Sequence, residues 1–272
     1  MYQWQGLGNR LIDADGGSGD YRIAGSNSYQ SLTNGQFADW MAGIQLDFPI
    51  GNRREHAGDR KAAEQFAALR SAVGPEIELI FETHTRLTPI RAVEMCNAIA
   101  EFRPYFVEDP IRSEGPESFR MLRAHTSVPL GTGEQLCHKW QFRALLEEEL
   151  IDFVRLDITH AGGITEGRKV AALAETHYQE MALHYTSSPV SSAAMLHLNL
   201  AIPNCAVQEH NEHADWMFDV FPGAVRSRDG YLWPPDRPGL GVEIDLAAAA
   251  RVEAPDGENP RLRRQDGSIW DW

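Results

Sequence analysis

The chain has 272 residues, of which 43% are hydrophobic and 24% charged, and its formal net charge is −14. This apolar content is enough for a large core and excludes a chain that is disordered throughout. The acidic balance argues against a nucleic-acid partner, because an acidic surface repels phosphate backbones. The length is within reach of one large α/β barrel.

Cysteine content and hydropathy indicate the cellular compartment. The three cysteines, Cys96, Cys137 and Cys205, are too few and too scattered for a disulfide framework. The sequence starts MYQWQGLGNR, which lacks a basic segment followed by an apolar run, and it has no stretch of about 18 apolar residues. We therefore expect a cytoplasmic protein with no signal peptide and no membrane partner.

The first part of the chain differs in composition from the rest. Residues 13–36 are rich in Asp, Gly, Ser and Asn, so 1–58 is predicted to be an irregular, lid-like segment. An early barrel strand is expected within it, at either 2–5 or 43–47. From residue 59 to 210 the pattern becomes regular and predicts a series of βα units.

Short apolar runs alternate with amphipathic segments in this regular part. Helices are predicted over 59–73, 88–100, 116–125, a segment ending near 150, 165–178 and 189–200. In the second helix, Ile90, Val93, Cys96 and Ala100 form one apolar face. Strands are predicted at 77–81, 105–107, 128–133, 153–156, 181–183 and 206–208.

This alternation is typical of a parallel sheet whose strands are buried on both faces. The predicted fold is therefore α/β, a TIM-type (β/α) barrel. Residues 211–272 are rich in Pro, Gly, Asp and Trp, which predicts an irregular tail that wraps around the barrel.

An ionisable residue directly follows each of the six predicted strands, at intervals of 23 to 27 residues. The six are Glu82, Glu108, Glu134, Asp157, His184 and Glu209. Side chains at the carboxyl ends of parallel strands face the mouth of a barrel, where such folds have their active sites. The common phase favours one shared site over six unrelated surface residues.

Three of these groups predict a metal site. Glu82, Glu108 and Glu134 end three successive strands, where their charges would repel one another. A hard divalent cation relieves this repulsion, and oxygen-only ligation suits Mg²⁺. We predict that the three glutamates are Mg²⁺ ligands.

Two histidines are in phase with the carboxylates. His84 lies two residues beyond Glu82, and an extended segment would send both side chains to the same side. Asp157 and His184 end neighbouring predicted strands, where the carboxylate could orient the imidazole. A metal flanked by two proton-transfer groups suits removal of a proton α to a carboxylate. His84, His184 and Asp157 are therefore the candidate catalytic residues.

Several longer motifs identify a family. They are FVEDP at 106–110, HTSVPLGTGEQ at 125–135, DITHAGGITEGRK at 157–169, LHYTSSPVSSAA at 183–194 and DGSIWDW at 266–272. With this text the chain resembles the enolase superfamily, in its mandelate racemase/muconate lactonizing enzyme-like branch. Within that branch it is similar to the acid-sugar dehydratases of the mannonate and galactonate type, over about residues 59–272.

The resemblance implies a Mg²⁺-dependent lyase of the hydro-lyase class acting on a small-molecule sugar acid. Such an enzyme removes the proton α to the carboxylate through a metal-stabilised enediolate and eliminates the β-hydroxyl, giving a 2-keto-3-deoxy sugar acid. A racemase or epimerase of the same superfamily is one alternative. A degenerate relative that only binds ligand is another.

The resemblance also implies roles for individual residues. His84 matches the acid toward the leaving hydroxyl, and His184 matches the base, with Asp157 as its partner. Substrate contacts are expected from Arg155, Glu209 and Trp270, together with Glu134 and both histidines. Trp270 and Trp272 match an aromatic ending that folds back toward the barrel.

The chain also departs from the family pattern. The family usually has Asp at the position of Glu82. Its N-terminal capping domain and first barrel strand have no recognisable counterpart here, so we expect a barrel that is incomplete at its N-terminal side and lacks the cap. Whether the chain is a fragment or a natural truncation stays open. An open barrel edge favours association, so a homo-oligomer is expected.

Overall fold

The computed structural model describes residues 61–211 and 213–253 with their side chains, and before residue 61 the backbone of four short strands and the start of one helix. The strands are β1 (Trp4–Gln5), β2 (Leu11–Asp13), β3 (Tyr21–Ile23), β4 (Met41–Gln45), β5 (Glu78–Glu82), β6 (Phe106–Glu108), β7 (Leu130–Thr132), β8 (Phe153–Val154), β9 (Glu180–Leu183), β10 (Cys205–Gln208), β11 (Ser227–Arg228) and β12 (Tyr231–Leu232). The helices are α1 (Glu55–Val73), α2 (Pro89–Ile99), α3 (Pro116–His125), α4 (Lys139–Glu147), α5 (Gly163–Glu175), α6 (Pro189–Leu200), α7 (Asp215–Val220) and α8 (Leu246–Ala249), with a 3-10 turn at Ala100–Phe102.

The main sheet has its strands in chain order from β4 to β10, each parallel to its neighbour. β1 pairs antiparallel with the outer edge of β4, while β2–β3 and β11–β12 form separate two-stranded sheets. A helix follows each of the strands from β5 to β9. The sheet curls into a half-barrel, which confirms the predicted α/β fold as an incomplete TIM-type barrel.

All six predicted strands are present near their predicted positions. Of the two candidates for an earlier strand, the one near 43–47 is observed as β4, which pairs in parallel from Met41 opposite Glu78 to Gln45 opposite Glu82. The candidate at 2–5 contains β1, whose antiparallel pairing differs from that of a barrel strand. The lid-like character expected for the rest of 1–58 concerns residues outside the described part of the chain.

The predicted apolar face of the second helix is right in part. Cys96 is buried and Val93 packs against the core as predicted, but Ile90 is 68% exposed and Ala100 is also exposed. The other buried residues of α2 are Ala92, Met95 and Ile99. The helix has apolar side chains on more than one face, and the observed orientation buries the larger side chains of Met95 and Ile99. Ile90 lies in the first turn, beside the capping residue Thr88 and Pro89.

Alternation along the strands creates two environments. One set of side chains packs outward against the helices in the main core: Leu79, Phe81, Val107, Val154, Leu156 and Leu183. The other set lies on the inner face of the half-barrel. There Phe106, Phe153 and Ala182 form a separate cluster bordered by Ile80 and Val207. Two residues further along the same strands come Glu82, Glu108, Arg155, His184 and Glu209. Period-two alternation therefore places the ionisable groups above an apolar floor.

Gly131 of β7 lies between the apolar floor and the ionisable groups above it. A Cβ at Gly131 would lie 2.8 Å from Cδ2 of Phe106 and 3.5 Å from Cγ of Arg155. A real Cβ does not come as close as 2.8 Å to another carbon, so a side chain here would displace the Phe106 ring. Gly131 therefore lets the aromatic floor and Arg155 approach the backbone of β7.

The tail after residue 210 is less irregular than its composition predicts. Between residues 213 and 253 it contains α7, the β11–β12 hairpin and α8. Oδ1 of Asp245 caps α8 by accepting hydrogen bonds from the backbone N–H groups of Ala247 and Ala248, both at 2.9 Å. Within the described residues, no helix combines the length and apolar character needed to cross a membrane.

Candidate active site

The structure brings the three predicted metal ligands together. Glu82 and Glu108 end β5 and β6 and are directly opposite each other in the parallel register. Glu134 follows β7, and one carboxylate oxygen from each of the three lies within 4.8 Å of the others. Oxygens bound to one Mg²⁺ at about 2.1 Å are roughly 3.0 Å apart in adjacent positions and roughly 4.2 Å apart in opposite ones. The three carboxylates are therefore the donors that a small hard cation prefers, and a bound cation would draw their oxygens closer together.

The electrostatics of the cluster also favour a cation. Burial raises the pKa of Glu82 well above its ordinary value, and the neighbouring charges of Glu108, Asp109 and Glu134 raise it further. The ionised form is disfavoured because like charges share a poorly solvated space. A divalent cation reverses this effect by stabilising the ionised carboxylates.

A tight turn follows Glu82. His84 and Thr85 have left-handed backbone angles, with φ of 49° and 62°. The backbone N–H of His84 donates a hydrogen bond to the carboxylate of Glu82. The sequence argument for His84 assumes an extended segment, but the segment forms a turn. The turn, and not strand alternation, brings the imidazole to the site.

Two imidazoles flank the carboxylate of Glu134. Nδ1 of His84 is 3.4 Å from Oε1 of Glu134, and Nε2 of His184 is 3.1 Å from Oε2. The other ring nitrogen of His184, Nδ1, is 3.0 Å from Oδ2 of Asp157. The predicted Asp157–His184 pair is therefore present, with Nε2 directed to the carboxylate cluster.

Hydrogen bonds set the charge of this pair. Burial alone would raise the pKa of Asp157, but hydrogen bonds from His184 and Thr159 outweigh it and lower the pKa to about 2. Burial would likewise lower the pKa of His184, but the bond to Asp157 and the charges of Glu209 and Glu134 together outweigh it, and the pKa rises to about 9. These contacts favour a carboxylate–imidazolium pair.

Arg155 lies beneath the cluster, only 2% exposed. Its Nε donates to Oε1 of Glu108, its Nη2 to Oε2 of Glu209 at 2.5 Å, and its Nη1 to the carbonyl of Ala182 at 2.8 Å. Burial opposes the charge of the guanidinium, but Glu108 and Glu209 outweigh this and raise its pKa. The residue predicted to contact substrate is therefore engaged by protein groups at all three nitrogens.

Glu209 joins the same network from β10. Its Oε2 accepts a hydrogen bond from the backbone N–H of Tyr185 at 3.0 Å as well as the bond from Arg155. Burial raises its pKa, against the lowering influence of Arg155 and His184. Trp270 and Trp272 lie outside the described residues.

Two residues of the site were missed at the sequence level. Asp109 is 1% exposed, has a left-handed φ of 40°, and accepts a hydrogen bond from the hydroxyl of Thr132. Its carboxylate is held by Thr132 of β7, and it lies close enough to Glu108 and Glu134 for their charges to act on it. Burial, with the charges of Glu134 and Glu108, raises its pKa well above the ordinary value. The two adjacent acidic residues of the FVEDP motif are the sequence signal that could have indicated Asp109 as part of the site.

Thr159 is the second missed residue. Its backbone N–H and its hydroxyl both donate to Oδ1 of Asp157, at 2.7 and 2.5 Å. An Asp followed two residues later by Thr is typical of an Asx turn, so the DIT sequence carried this signal. Thr159 fixes one oxygen of Asp157 and leaves the other for His184.

Comparison with known proteins agrees with this fold. The sequence profile described as Enolase C-terminal domain-like matches residues 50–249. The chain belongs to this family. It is 45% identical over 215 residues to a D-galactonate dehydratase family member of Streptomyces bingchenggensis, covering 78% of this chain and 52% of that protein. It is 39% identical over 215 residues to a D-mannonate dehydratase of Sphingomonas sp., covering 78% of this chain and 53% of that protein.

Solved structures show the same relationship. An enolase from Pantoea ananatis, crystallised with bound D-gluconate and Mg, superimposes with a TM-score of 0.75 at 33% identity. The match covers 84% of this chain and 56% of the other. The chain spans about half the length of the curated relatives it matches.

Proposed function

We propose that the protein is a Mg²⁺-dependent sugar-acid dehydratase. The observation that carries the proposal is one carboxylate, Glu134, shared between a three-glutamate cluster and two flanking imidazoles. This arrangement puts a cation site and two proton-transfer groups within reach of one small substrate. The relatives named as galactonate and mannonate dehydratases, and the gluconate and Mg bound in a similar structure, support the same chemistry.

Glu82, Glu108 and Glu134 are the residues that would hold the cation. Bound Mg²⁺ would act as a Lewis acid that stabilises the negative charge developing on the substrate carboxylate when the neighbouring carbon loses its proton. The three side chains contribute by holding their oxygens close together before the metal arrives. A cation in this position would also favour the neutral form of His184, which is the form that can accept a proton.

We assign proton removal to Nε2 of His184. Its Nδ1 is held by Asp157, which fixes the ring and stabilises the positive charge gained when Nε2 takes a proton. Thr159 fixes Asp157 in turn. This chain of contacts makes His184 the better oriented of the two imidazoles.

We assign proton donation to His84. Its ring lies on the other oxygen of Glu134, across the carboxylate from His184. A proton donated there to the β-hydroxyl lets it leave as water, giving a 2-keto-3-deoxy sugar acid. Glu209 and the remaining polar groups at the mouth are proposed to contact the sugar hydroxyls.

The two imidazoles also support a second candidate, a racemase or epimerase. One histidine could remove the α-proton and the other return a proton to the opposite face, without loss of water. In that case the substrate would exchange its α-proton with solvent and invert, and no keto product would form.

A substrate panel separates these functions. The purified chain would be incubated with Mg²⁺ and D-galactonate, D-mannonate, D-gluconate or related uronic acids in D₂O, with product and deuterium incorporation followed by NMR. We expect a 2-keto-3-deoxy product from at least one acid, and its loss in His184→Asn. Exchange without dehydration supports the racemase. Saturable binding with neither exchange nor product would identify a degenerate relative.

The assembly of the active protein stays a prediction as well. An open sheet presents strand edges to solvent, which favours association. We predict a homo-oligomer, which light scattering on the purified chain would test by comparison with the mass of one chain.

A further inference from the structure

The guanidinium of Arg155 connects two acidic side chains that come from different strands. It bonds Glu108, which ends β6, and Glu209, which follows β10, while Nη1 ties it to the main chain of β9 at Ala182. The residue itself follows β8 directly. One side chain thus joins four of the parallel strands under the mouth of the half-barrel.

The contacts of Arg155 leave it poorly placed to bind a substrate. It is 2% exposed, and its Nε, Nη1 and Nη2 all donate to protein acceptors. A substrate oxygen would have to displace Glu108, Glu209 or a backbone carbonyl. Breaking a buried ion pair in this way is strongly unfavourable, because it leaves a charge without its partner.

The same contacts orient a metal ligand. Nε of Arg155 engages Oε1 of Glu108, so the other oxygen of that carboxylate is the one left for a cation. The guanidinium is planar and rigid, so bonding at Nε and Nη2 fixes the angle of the Glu108 carboxylate relative to Glu209. A partner that orients a ligating carboxylate typically changes metal affinity by about 10- to 100-fold when it is removed.

We propose that Arg155 is a positioning residue that holds Glu108 for binding of the divalent cation through one oxygen and links it to Glu209, and that it does not bind the sugar acid. The proposal rests on the cation site of the proposed function. It reassigns Arg155 from the substrate contact that family resemblance implies to a role exerted through Glu108.

Arg155→Lys is the sharpest variant, because it keeps the positive charge and removes the fork. A lysine ammonium is a point charge and cannot hold both carboxylates in a fixed plane. If charge alone mattered, metal affinity would be preserved. The matched control is Arg143→Lys, since Arg143 forms an exposed ion pair with Glu147 on α4.

The test is a Mn²⁺ titration of the full chain, with free Mn²⁺ followed by electron paramagnetic resonance. We expect Arg155→Lys to bind Mn²⁺ about 10- to 100-fold more weakly than wild type and to change the spectrum of the bound ion. Arg143→Lys should bind within about twofold of wild type, because exposed pairs contribute little. Circular dichroism and melting of the metal-free proteins check that each variant is folded.

A second variant covers the case in which Arg155→Lys does not fold. Glu209→Gln keeps Arg155 and Glu108 but weakens one arm of the bridge, and we expect a several-fold loss of Mn²⁺ affinity, about the value of one hydrogen bond. Folded Arg155→Lys that binds Mn²⁺ within twofold of wild type overturns the proposal, as does the same result for Glu209→Gln when Arg155→Lys is unfolded. So does Arg155→Lys that retains Mn²⁺ affinity but loses binding of a sugar acid.

The Mn²⁺ titration of the wild-type protein distinguishes failure of this inference from failure of the proposed function. If wild-type protein binds no Mn²⁺ at millimolar concentration, the cation site itself is wrong and both proposals fail. If wild type binds and the variants bind equally well, only the role of Arg155 fails.

Discussion

The two halves of the site are stabilised in different ways. In the carboxylate half, Glu82, Glu108 and Asp109 share a buried space with Glu134, and the single guanidinium of Arg155 bonds only Glu108 among these four. In the imidazole half, His184, Asp157 and Thr159 form a hydrogen-bonded chain in which each donor has an acceptor. The comparison shows that the first half has an excess of negative charge that a cation would offset, while the second is already paired.

This difference predicts that the two halves can be disabled separately. The largest effect is expected from His184→Asn, which removes the proton-transfer atom and leaves the glutamates in place. Turnover of the best sugar acid, or exchange of its α-proton, should fall by about 10²- to 10⁴-fold. Mn²⁺ affinity should stay within about threefold of wild type.

His125→Asn is the control for this variant, since His125 is an exposed histidine at the end of α3. It should change neither turnover nor metal binding. Equal losses of Mn²⁺ affinity and turnover in His184→Asn would show that the halves are not separable.

The next largest effect is expected from Glu134→Gln, which tests the residue shared by both halves. The isosteric amide removes one charge and one strong oxygen ligand, so Mn²⁺ affinity should fall by at least about 100-fold, at or beyond the upper end of outer-shell effects. Turnover should fall with it. Glu147→Gln, at the exposed end of α4, should leave the affinity unchanged, and tight binding by Glu134→Gln would exclude it as a ligand.

A smaller effect is expected from the floor that supports the carboxylate half. Gly131→Ala places a Cβ 2.8 Å from the Phe106 ring, and overpacking of this kind costs about 1–3 kcal/mol of unfolding free energy. Urea denaturation would measure the loss. The control is the same change in a Phe106→Leu background, where the ring that the new Cβ would meet is gone and the added loss should be smaller. An equal loss in both backgrounds would contradict the steric explanation.

The smallest effect is expected from Thr159→Val in the imidazole half. The change removes the hydroxyl donor to Asp157 but keeps the backbone N–H donor. One hydrogen bond of about 0.5–1.5 kcal/mol corresponds to a loss of turnover of roughly two- to twelvefold. Thr159→Ser should restore most of the activity, and Mn²⁺ affinity should not change in either variant. A Ser variant as impaired as Val would show that the hydroxyl is not what matters.

Much of this site could be predicted because strand periodicity is a strong signal. An apolar run followed by an acid or a histidine, repeated every 23 to 27 residues, is sufficient to predict that six ionisable side chains lie at the mouth of one barrel. The six are Glu82, Glu108, Glu134, Asp157, His184 and Glu209. The strand bounds differ only slightly from those predicted, because these runs are buried on both faces and bounded by turns.

What escaped prediction depends on backbone angles and on competition between faces. Asp109 adopts a left-handed φ, which no residue pattern encodes for a non-glycine residue. The prediction for α2 was wrong at Ile90, because Ile90 and Ile99 compete for burial and the docking of the whole helix decides between them. The engagement of Arg155 at three nitrogens is a tertiary property, so the sequence indicated its position without its partners.

The central claim is that Glu82, Glu108 and Glu134 bind one divalent cation. The most direct test is a crystal of the protein soaked in Mn²⁺ and measured at a wavelength where manganese scatters anomalously. We predict one strong anomalous peak within about 2.0–2.4 Å of an oxygen from each of the three glutamates. A peak elsewhere, or no peak at a concentration that saturates Mn²⁺ binding in solution, would contradict the account.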